Sequence, residues 1–380
     1  MIKWKTVRVG DLCSDIIDCV NKTAPISDTP TKYKMLRTSD IRNGFINLEN
    51  LNCVTEDTFI KWTRRGKLRV GDIIFTREAP LGEVGMVRVA ENYFLGQRLV
   101  LFRANPDVCD NRFLLYAFQF HDNKQSIISK GVGATVLHLR VPECERIEIK
   151  VPDLHTQQRI GSVLSAYDDL IENNQKQIKL LEEAAQRLYK EWFVDLRFPG
   201  HETTPIINGL PEGWTNAVVT DLLEIKYGKD HKALEAGDIP VYGSGGIMRK
   251  VNKILHSGES VLIPRKGSLN NILLVSGDFW TIDTMFFSIP RMPNVAKYAY
   301  LFLCGVDMYA MNIGAAVPSM TVKILDGMKV LYPSAEILAQ FEKVVGPFFV
   351  MIEGLKKKNE VLGEARDLLL PKLMNREIEV

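Results

Sequence analysis

The chain has 380 residues, 46% of them hydrophobic and 25% charged, with a net charge of +2. These are the proportions of a globular protein long enough for two or three domains. With no apolar run of about 18 residues, no apolar signal region at Met1–Lys5 and no Cys-x-x-Cys among six scattered cysteines, the sequence argues against a membrane span, secretion, a zinc site and a disulfide framework. A reducing, cytoplasmic setting is expected.

Residues 5–152 read as mixed α and β. Asp11-Leu12 begins a short helix. Lys34 to Arg37 is a strand running into a turn at Thr38 to Ile41. Gly71-Asp72 opens a buried strand, Ile73 to Thr76, and Ala79 to Gly82 turns the chain into a second strand at Val84 to Val87. Leu99 to Phe102 is a third strand, Arg112 to Phe120 a helix, and Ile147, Ile149 and Val151 alternate into a closing strand. Lys61-Trp62-Thr63-Arg64-Arg65-Gly66-Lys67-Leu68-Arg69 is a basic cluster, read as a loop. Cations with an aromatic among them suit a phosphate-tracking surface, since cations hold backbone while an indole packs on sugar or base. The alternative is a solvated loop with snorkelling side chains. Gln97-Arg98 could read adenine or guanine edges bidentately, or could be structural.

Thr156 to Phe193 contains no Pro and one Gly, at 161. Ile160, Leu164, Tyr167, Ile171, Asn174, Ile178, Leu181, Ala185, Leu188 and Trp192 alternate in steps of four and three, a coiled-coil seam. At ~1.5 Å per residue the helix is about 55 Å long. Asp168, Asp169, Glu172, Lys176, Lys179 and Glu182 lie off the seam and read as a solvated face. A polar linker follows Leu196 to Gly200. The second globule opens at Leu210-Pro211-Glu212-Gly213-Trp214. Pro240 to Ile247 is a strand entering a glycine turn, Val261 to Ile263 a strand before Pro264-Arg265-Lys266-Gly267-Ser268, and Phe279 to Thr284 another. The glycines allow close backbone approach to a ligand. Gly-x-x-x-x-Gly-Lys-Ser/Thr is absent, which argues against a nucleotide loop. Phe341, Val345, Phe348, Ile352, Leu355, Asn359, Leu362, Arg366, Leu369 and Leu373 repeat the seam, with a break expected at Gly346-Pro347 and the last turns limited by Pro371.

The second seam is the first shifted by 341 − 160 = 181. The same shift places Gly133 to Leu139 on Gly314 to Met320, and Trp4 matches Trp214 at 214 − 4 = 210. The chain is therefore a tandem repeat, globule–helix–globule–helix, with boundaries at 1–152, 153–199, 200–333 and 334–380. The basic excess sits in the first globule. Residues 1–152 hold 23 Lys+Arg against 18 Asp+Glu, while residues 201–332 hold 12 of each. No Asn/Asp-Pro-Pro-Tyr/Phe run, metal cluster or catalytic triad stands out in the sequence.

Three motifs carry a resemblance. They are Gly71 to Gly82 with Leu95-Gly96-Gln97-Arg98; Pro240 to Gly246 with Arg265-Lys266-Gly267-Ser268 and Phe279 to Thr284; and the helix exit Trp192 to Pro199. Together they resemble the specificity subunit of type I restriction–modification enzymes, over nearly the whole chain. Pro264 departs from the glycine often found there, and a proline removes a backbone N–H. The resemblance implies an α+β fold, with two target recognition domains separated by long helices in an antiparallel coiled coil. It implies no catalysis and no cofactor on this chain. The implied partners are double-stranded DNA, two methyltransferase subunits using S-adenosylmethionine, and restriction subunits using ATP and Mg2+. DNA contact is expected at Lys61, Arg64, Arg65, Lys67, Arg77, Gln97 and Arg98, and at Tyr242, Ser244, Arg265, Lys266, Ser268 and Asn270. A pseudo-two-fold register pairs Ile171 with Leu362, Ala185 with Phe348, Tyr167 with Arg366, and Asn174 with Asn359. The competing class is a coiled-coil scaffold that binds proteins, which the neutral second globule favours. An enzyme with a non-obvious site has no motif behind it.

Overall fold

The computed structural model describes residues 4–312, 314 and 317–380. Ala315 and Ala316, part of the repeated Gly-Ala run, lie outside the described residues. The chain packs into two compact units. One comprises residues 1–173 with 358–380, the other residues 174–357. Each unit therefore holds one globule and a piece of both long helices, and the packing cuts the helices at mid-length.

The first unit is built on an antiparallel sheet of Cys13–Asp18, Leu99–Ala104, Ile73–Thr76 and Val84–Met86, in that spatial order. Ile73, Ile74 and Phe75 are fully buried, as expected of a central strand of β-branched and aromatic residues. Entry to that strand is fixed by charge. Buried Asp72 accepts the Arg69 amide at 2.7 Å and two guanidinium bonds from Arg103, each 2.8 Å. Such a bidentate pair restores what burial takes from the carboxylate. Lys34–Leu36 runs parallel to Tyr93–Leu95, with Asn52–Cys53 on its other edge. Lys5–Arg8 pairs with Glu148–Val151. The helix Asn111–Gln119, capped by the Asp110 carboxylate on the Phe113 amide, covers the sheet with Phe113 to Phe118.

The second unit repeats this plan. Leu223–Tyr227, Met285–Pro290, Ser260–Pro264 and Leu273–Val275 form a sheet in the same order. Ile239–Gly243 runs parallel to Asp278–Thr281, and Thr215–Val218 pairs with Lys329–Tyr332. The registers locate the length difference. Asp18 lies opposite Val100 as Tyr227 lies opposite Phe286, and Phe75 lies opposite Val100 as Ile263 lies opposite Phe286. The offset falls from 227 − 18 = 209 to 263 − 75 = 188. The first unit thus carries 21 extra residues between these two strands. Helix Glu56–Trp62 and the basic cluster lie there.

The long helices are Leu154–Tyr189 and Ala335–Met374. The first begins on the Asp153 side chain, which accepts the Thr156 amide at 3.0 Å. It then loosens into a π turn, Lys190–Val194, and stops at Leu196 with φ 56°. All seam positions named above are buried or half-buried. Three expectations are corrected. Gly346-Pro347 does not break the second helix, nor does Pro371 end it. Proline's φ is compatible with a helix, and Phe341, Val345 and Ile352 are buried on both sides of it. Packing outweighs the missing N–H. Asp168 is not solvated. It is 1% exposed, accepts the Tyr116 hydroxyl, and pairs with Arg366.

In the first unit Ile160 and Leu164 share a core with Leu370, Leu373 and Met374, while Asp168, later in the first helix, pairs with Arg366, earlier in the second, so the helices run antiparallel there. In the second unit Ala185, Trp192 and Phe193 share a core with Phe341 and Val345, and half-buried Phe348 packs against it. The Trp192 and Phe341 rings lie 5.5 Å apart, on the register that pairs Ala185 with Phe348. Asn174 is 2% exposed and Asn359 half-buried.

Candidate nucleic-acid interface

In the first unit the sheet strands deliver several loops to one place. The strand Ile73–Thr76 ends in Arg77. The Arg77 amide donates to the Arg98 carbonyl at 2.8 Å, and its carbonyl accepts the Leu139 amide at 3.0 Å. Gln97, half-buried, accepts the Thr23 hydroxyl at 3.2 Å. Arg98 is exposed, with φ 68° and an ion pair to Glu78 at 3.4 Å. Asp18 binds two arginines, Arg65 at 2.9 Å and Arg77 at 3.0 Å. The Arg77 side chain is only 16% exposed and also donates to the Leu139 carbonyl. It straps the sheet to the following loop, and its charge is spent inside the unit.

The basic cluster is not wholly a loop. Lys61 and Trp62 close the helix Glu56–Trp62, which Thr55 caps on the Thr58 amide. The Trp62 indole is half-buried and donates to the Lys22 carbonyl at 3.2 Å. It packs against the cluster of Tyr33, Met35 and Phe94. Lys61, Arg64, Arg65 and Lys67 are exposed around it. Arg65 anchors the run by a 2.6 Å bond to the Cys19 carbonyl. What remains is four exposed cations on a short ordered segment, of which Arg65 is shared with Asp18.

In the second unit two glycine-bearing loops meet. Gly267 has φ 88°, and a Cβ there would lie 2.8 Å from the Ser244 hydroxyl. A larger residue would be strained at that φ and would turn the Ser244 hydroxyl aside. The Ser244 carbonyl accepts the Asn271 amide group at 2.9 Å. Lys266, Ser268 and Asn270 are exposed, and Asn270 also accepts the Met308 amide. Tyr242 is half-buried, edge-on to Phe279 at 6.3 Å. Arg265 lies with its guanidinium 5.4 Å from the centre of the Tyr227 ring and donates to the Asp283 carbonyl.

Segments 132–138 and 317–319 carry no candidate contact residue in the sequence. Each bridges the loop after the buried strand, through Glu78 with His138 and Lys266 with Ser319. The Arg265 carbonyl accepts the Met320 amide at 2.9 Å, as Arg77 accepts Leu139. The signal was present, since these segments match at the 181-residue shift. Tyr227 was missed altogether; no local pattern marks it.

Duplicated α/β units, each carrying cations on tight loops and each including a piece of both long helices, define a tandem-repeat protein with two candidate binding surfaces. A family model described as "Type I restriction modification DNA specificity domain" matches residues 1–183 and 211–361. The chain belongs to that family. It is 26% identical over 341 residues to the specificity subunit of type I restriction enzyme MjaIX from Methanocaldococcus jannaschii, covering 82% of this chain and 78% of the relative. It is 20% identical to the HindI specificity subunit of Haemophilus influenzae over the full length of both. A solved type I S subunit from M. genitalium shares the fold, with a TM-score of 0.56, 20% identity, and coverage of 98% of this chain and 96% of that one. The protein supplies DNA specificity to a type I restriction–modification complex and is not itself catalytic. Among the described residues, no helix is long and apolar enough to cross a membrane.

Proposed function

We propose that each globule reads one half of a split, asymmetric DNA target, and that the paired helices set the distance between the halves. Residues 1–152 and 200–333 are the two recognition domains in this reading, and 153–199 and 334–380 the spacers. The single observation that carries it is the repeated sheet topology bearing two unlike loop faces. One scaffold used twice with different surface chemistry suits two different half-sites. Lys61, Arg64, Arg65 and Lys67 approach phosphate in one half. Arg265, Lys266 and Ser268 do so in the other, with Gln97, Arg98, Tyr242, Ser244 and Asn270 nearest the bases. Arg77 serves by holding the loops.

The chain then recruits two modification subunits, which bind S-adenosylmethionine and methylate adenine. Restriction subunits using ATP and Mg2+ join them, in the cytoplasm. Asn174 and Asn359 hold the helix register, because a polar pair on an apolar seam disfavours slipped pairings. Methylome sequencing of cells with and without this chain is the test. A split motif methylated only in its presence is expected. An unchanged methylome with the modification subunits expressed would reject the reading.

A further inference from the structure

The sheet registers make Arg77 and Arg265 equivalent, each one residue past its buried strand. They likewise make Asp18 and Tyr227 equivalent, each opposite the same position of the neighbouring strand. The two arginines are therefore held from the same place by different chemistry. Asp18 neutralises Arg77 with an ion pair at 3.0 Å and leaves its side chain 16% exposed. Tyr227 supports Arg265 by the face of its ring, at 5.4 Å, and takes no charge from it. A cation over an aromatic ring keeps its full positive charge and its outward N–H groups. Arg77 by contrast spends its N–H groups on the half-buried Asp18 carboxylate and the Leu139 carbonyl.

We infer that the two units hold DNA phosphate through non-equivalent cations, with Tyr227 as the positioning residue for Arg265. In the second unit, Arg265 is presented by Tyr227 beside exposed Lys266. In the first unit the equivalent Arg77 is withdrawn by Asp18. The positive surface comes instead from the 21-residue excess, where Arg64, Arg65 and Lys67 follow the extra helix Glu56–Trp62. Asp18 also fastens Arg65 at 2.9 Å, but that side chain stays 44% exposed, and one carboxylate shared by two arginines leaves a net positive charge there. The pattern explains why the basic excess sits in the first globule. That globule uses several cations where the second uses a presented pair.

The inference rests on the DNA-reading function proposed above, and the test separates the two. The full chain is assembled with its modification subunits. Binding to a mixed-sequence duplex is measured against salt for the wild type, Arg265→Gln, Tyr227→Leu, Tyr227→Phe, Arg77→Gln and the double variant Tyr227→Leu/Arg265→Gln. Removing one cation from a phosphate lowers the slope of log affinity against log salt by about 0.9. Arg265→Gln should show that reduction, and Tyr227→Leu most of it. Tyr227→Phe keeps the ring and should bind as the wild type. The double variant should be no weaker than Arg265→Gln alone. Arg77→Gln should lower the melting temperature at an unchanged slope. Additive reductions from Tyr227→Leu and Arg265→Gln would overturn the positioning role. So would a slope reduction in Arg77→Gln equal to that in Arg265→Gln with melting unchanged. If the wild-type complex binds the duplex without salt dependence, the DNA-reading function fails first.

Discussion

Arg366, Asp168 and Tyr116 form a buried polar cluster in the first unit, with Asp168 1% and Arg366 9% exposed. Removing one partner strands a charge in the core, which costs about 3–5 kcal/mol. Arg366→Ala should therefore lose that much in urea unfolding. Tyr116→Phe removes one hydrogen bond to a charged acceptor and should lose roughly 1.5–3 kcal/mol. A smaller loss in Arg366→Ala than in Tyr116→Phe would contradict the assignment. Burial, and then the Asp168 charge, push the Tyr116 phenol well above its ordinary value. The fold thus favours the protonated phenol. Its stabilisation is present below pH ~10, where the unfolded phenol ionises, and is lost as pH rises further. Tyr116→Phe should make the alkaline loss of stability shallower by one proton, about 1.4 kcal/mol per pH unit. An identical alkaline slope in both proteins would show that the phenol is not held neutral. Asp168 read as a solvated position because it stands one step off the seam. Only the neighbouring Tyr116 and Arg366 reveal why an acid sits there.

At the scale of elements, the two long helices were legible from periodicity. A seam of apolar residues in steps of four and three admits one regular structure. Their breaks were not legible. Pro347 lies inside the 40-residue helix Ala335–Met374, where it withholds one N–H from the ladder. Pro347→Ala should raise stability, by no more than about 3 kcal/mol, the usual cost of an interior proline. A fall in melting temperature would mean that the proline is needed for packing. If the helices are the ruler proposed above, four residues inserted near Gln177 add ~6 Å of helix. The number of unspecified base pairs in the methylated motif should then change. A folded, methylating variant with its old spacing would falsify the ruler. Replacing Asn174 and Asn359 together by Leu should raise the melting temperature and widen the range of accepted spacings, because a polar residue on the seam costs stability and specifies register.

At the scale of the molecule, the repeat predicts modular specificity. Exchanging residues 215–332 for the matching region of a relative should change one half of the methylated motif and leave the other. A change in both halves, read by methylome sequencing, would show that the two globules do not read independently. The repeat was found in the sequence at three anchor points, the helix, the preceding loop and the opening Trp4 and Trp214. Between those anchors the shift drifts, and sequence matching loses the thread. Hydrogen-bond registers do not drift. They place 21 of the extra residues between two named strands and assign Asp18 to Tyr227, and Arg77 to Arg265.

The sequence by itself determined the class of fold, the tandem repeat, the helix seams and the membership that follows from three motifs. These depend on periodicity and on local turn chemistry, which act between residues close in the chain. Tertiary structure decided which cations remain available. Lys61, Arg64, Arg65, Arg77 and Arg265 are alike in sequence as positive residues near glycines or aromatics. Asp18, distant in sequence from Arg65 and Arg77, ties down Arg77 at 16% exposure, while Arg65 on the same carboxylate stays 44% exposed. Tyr227 presents Arg265 instead. The charge left over for a partner is set by neighbours far away in the chain, because Coulomb energy depends on distance in space and on burial.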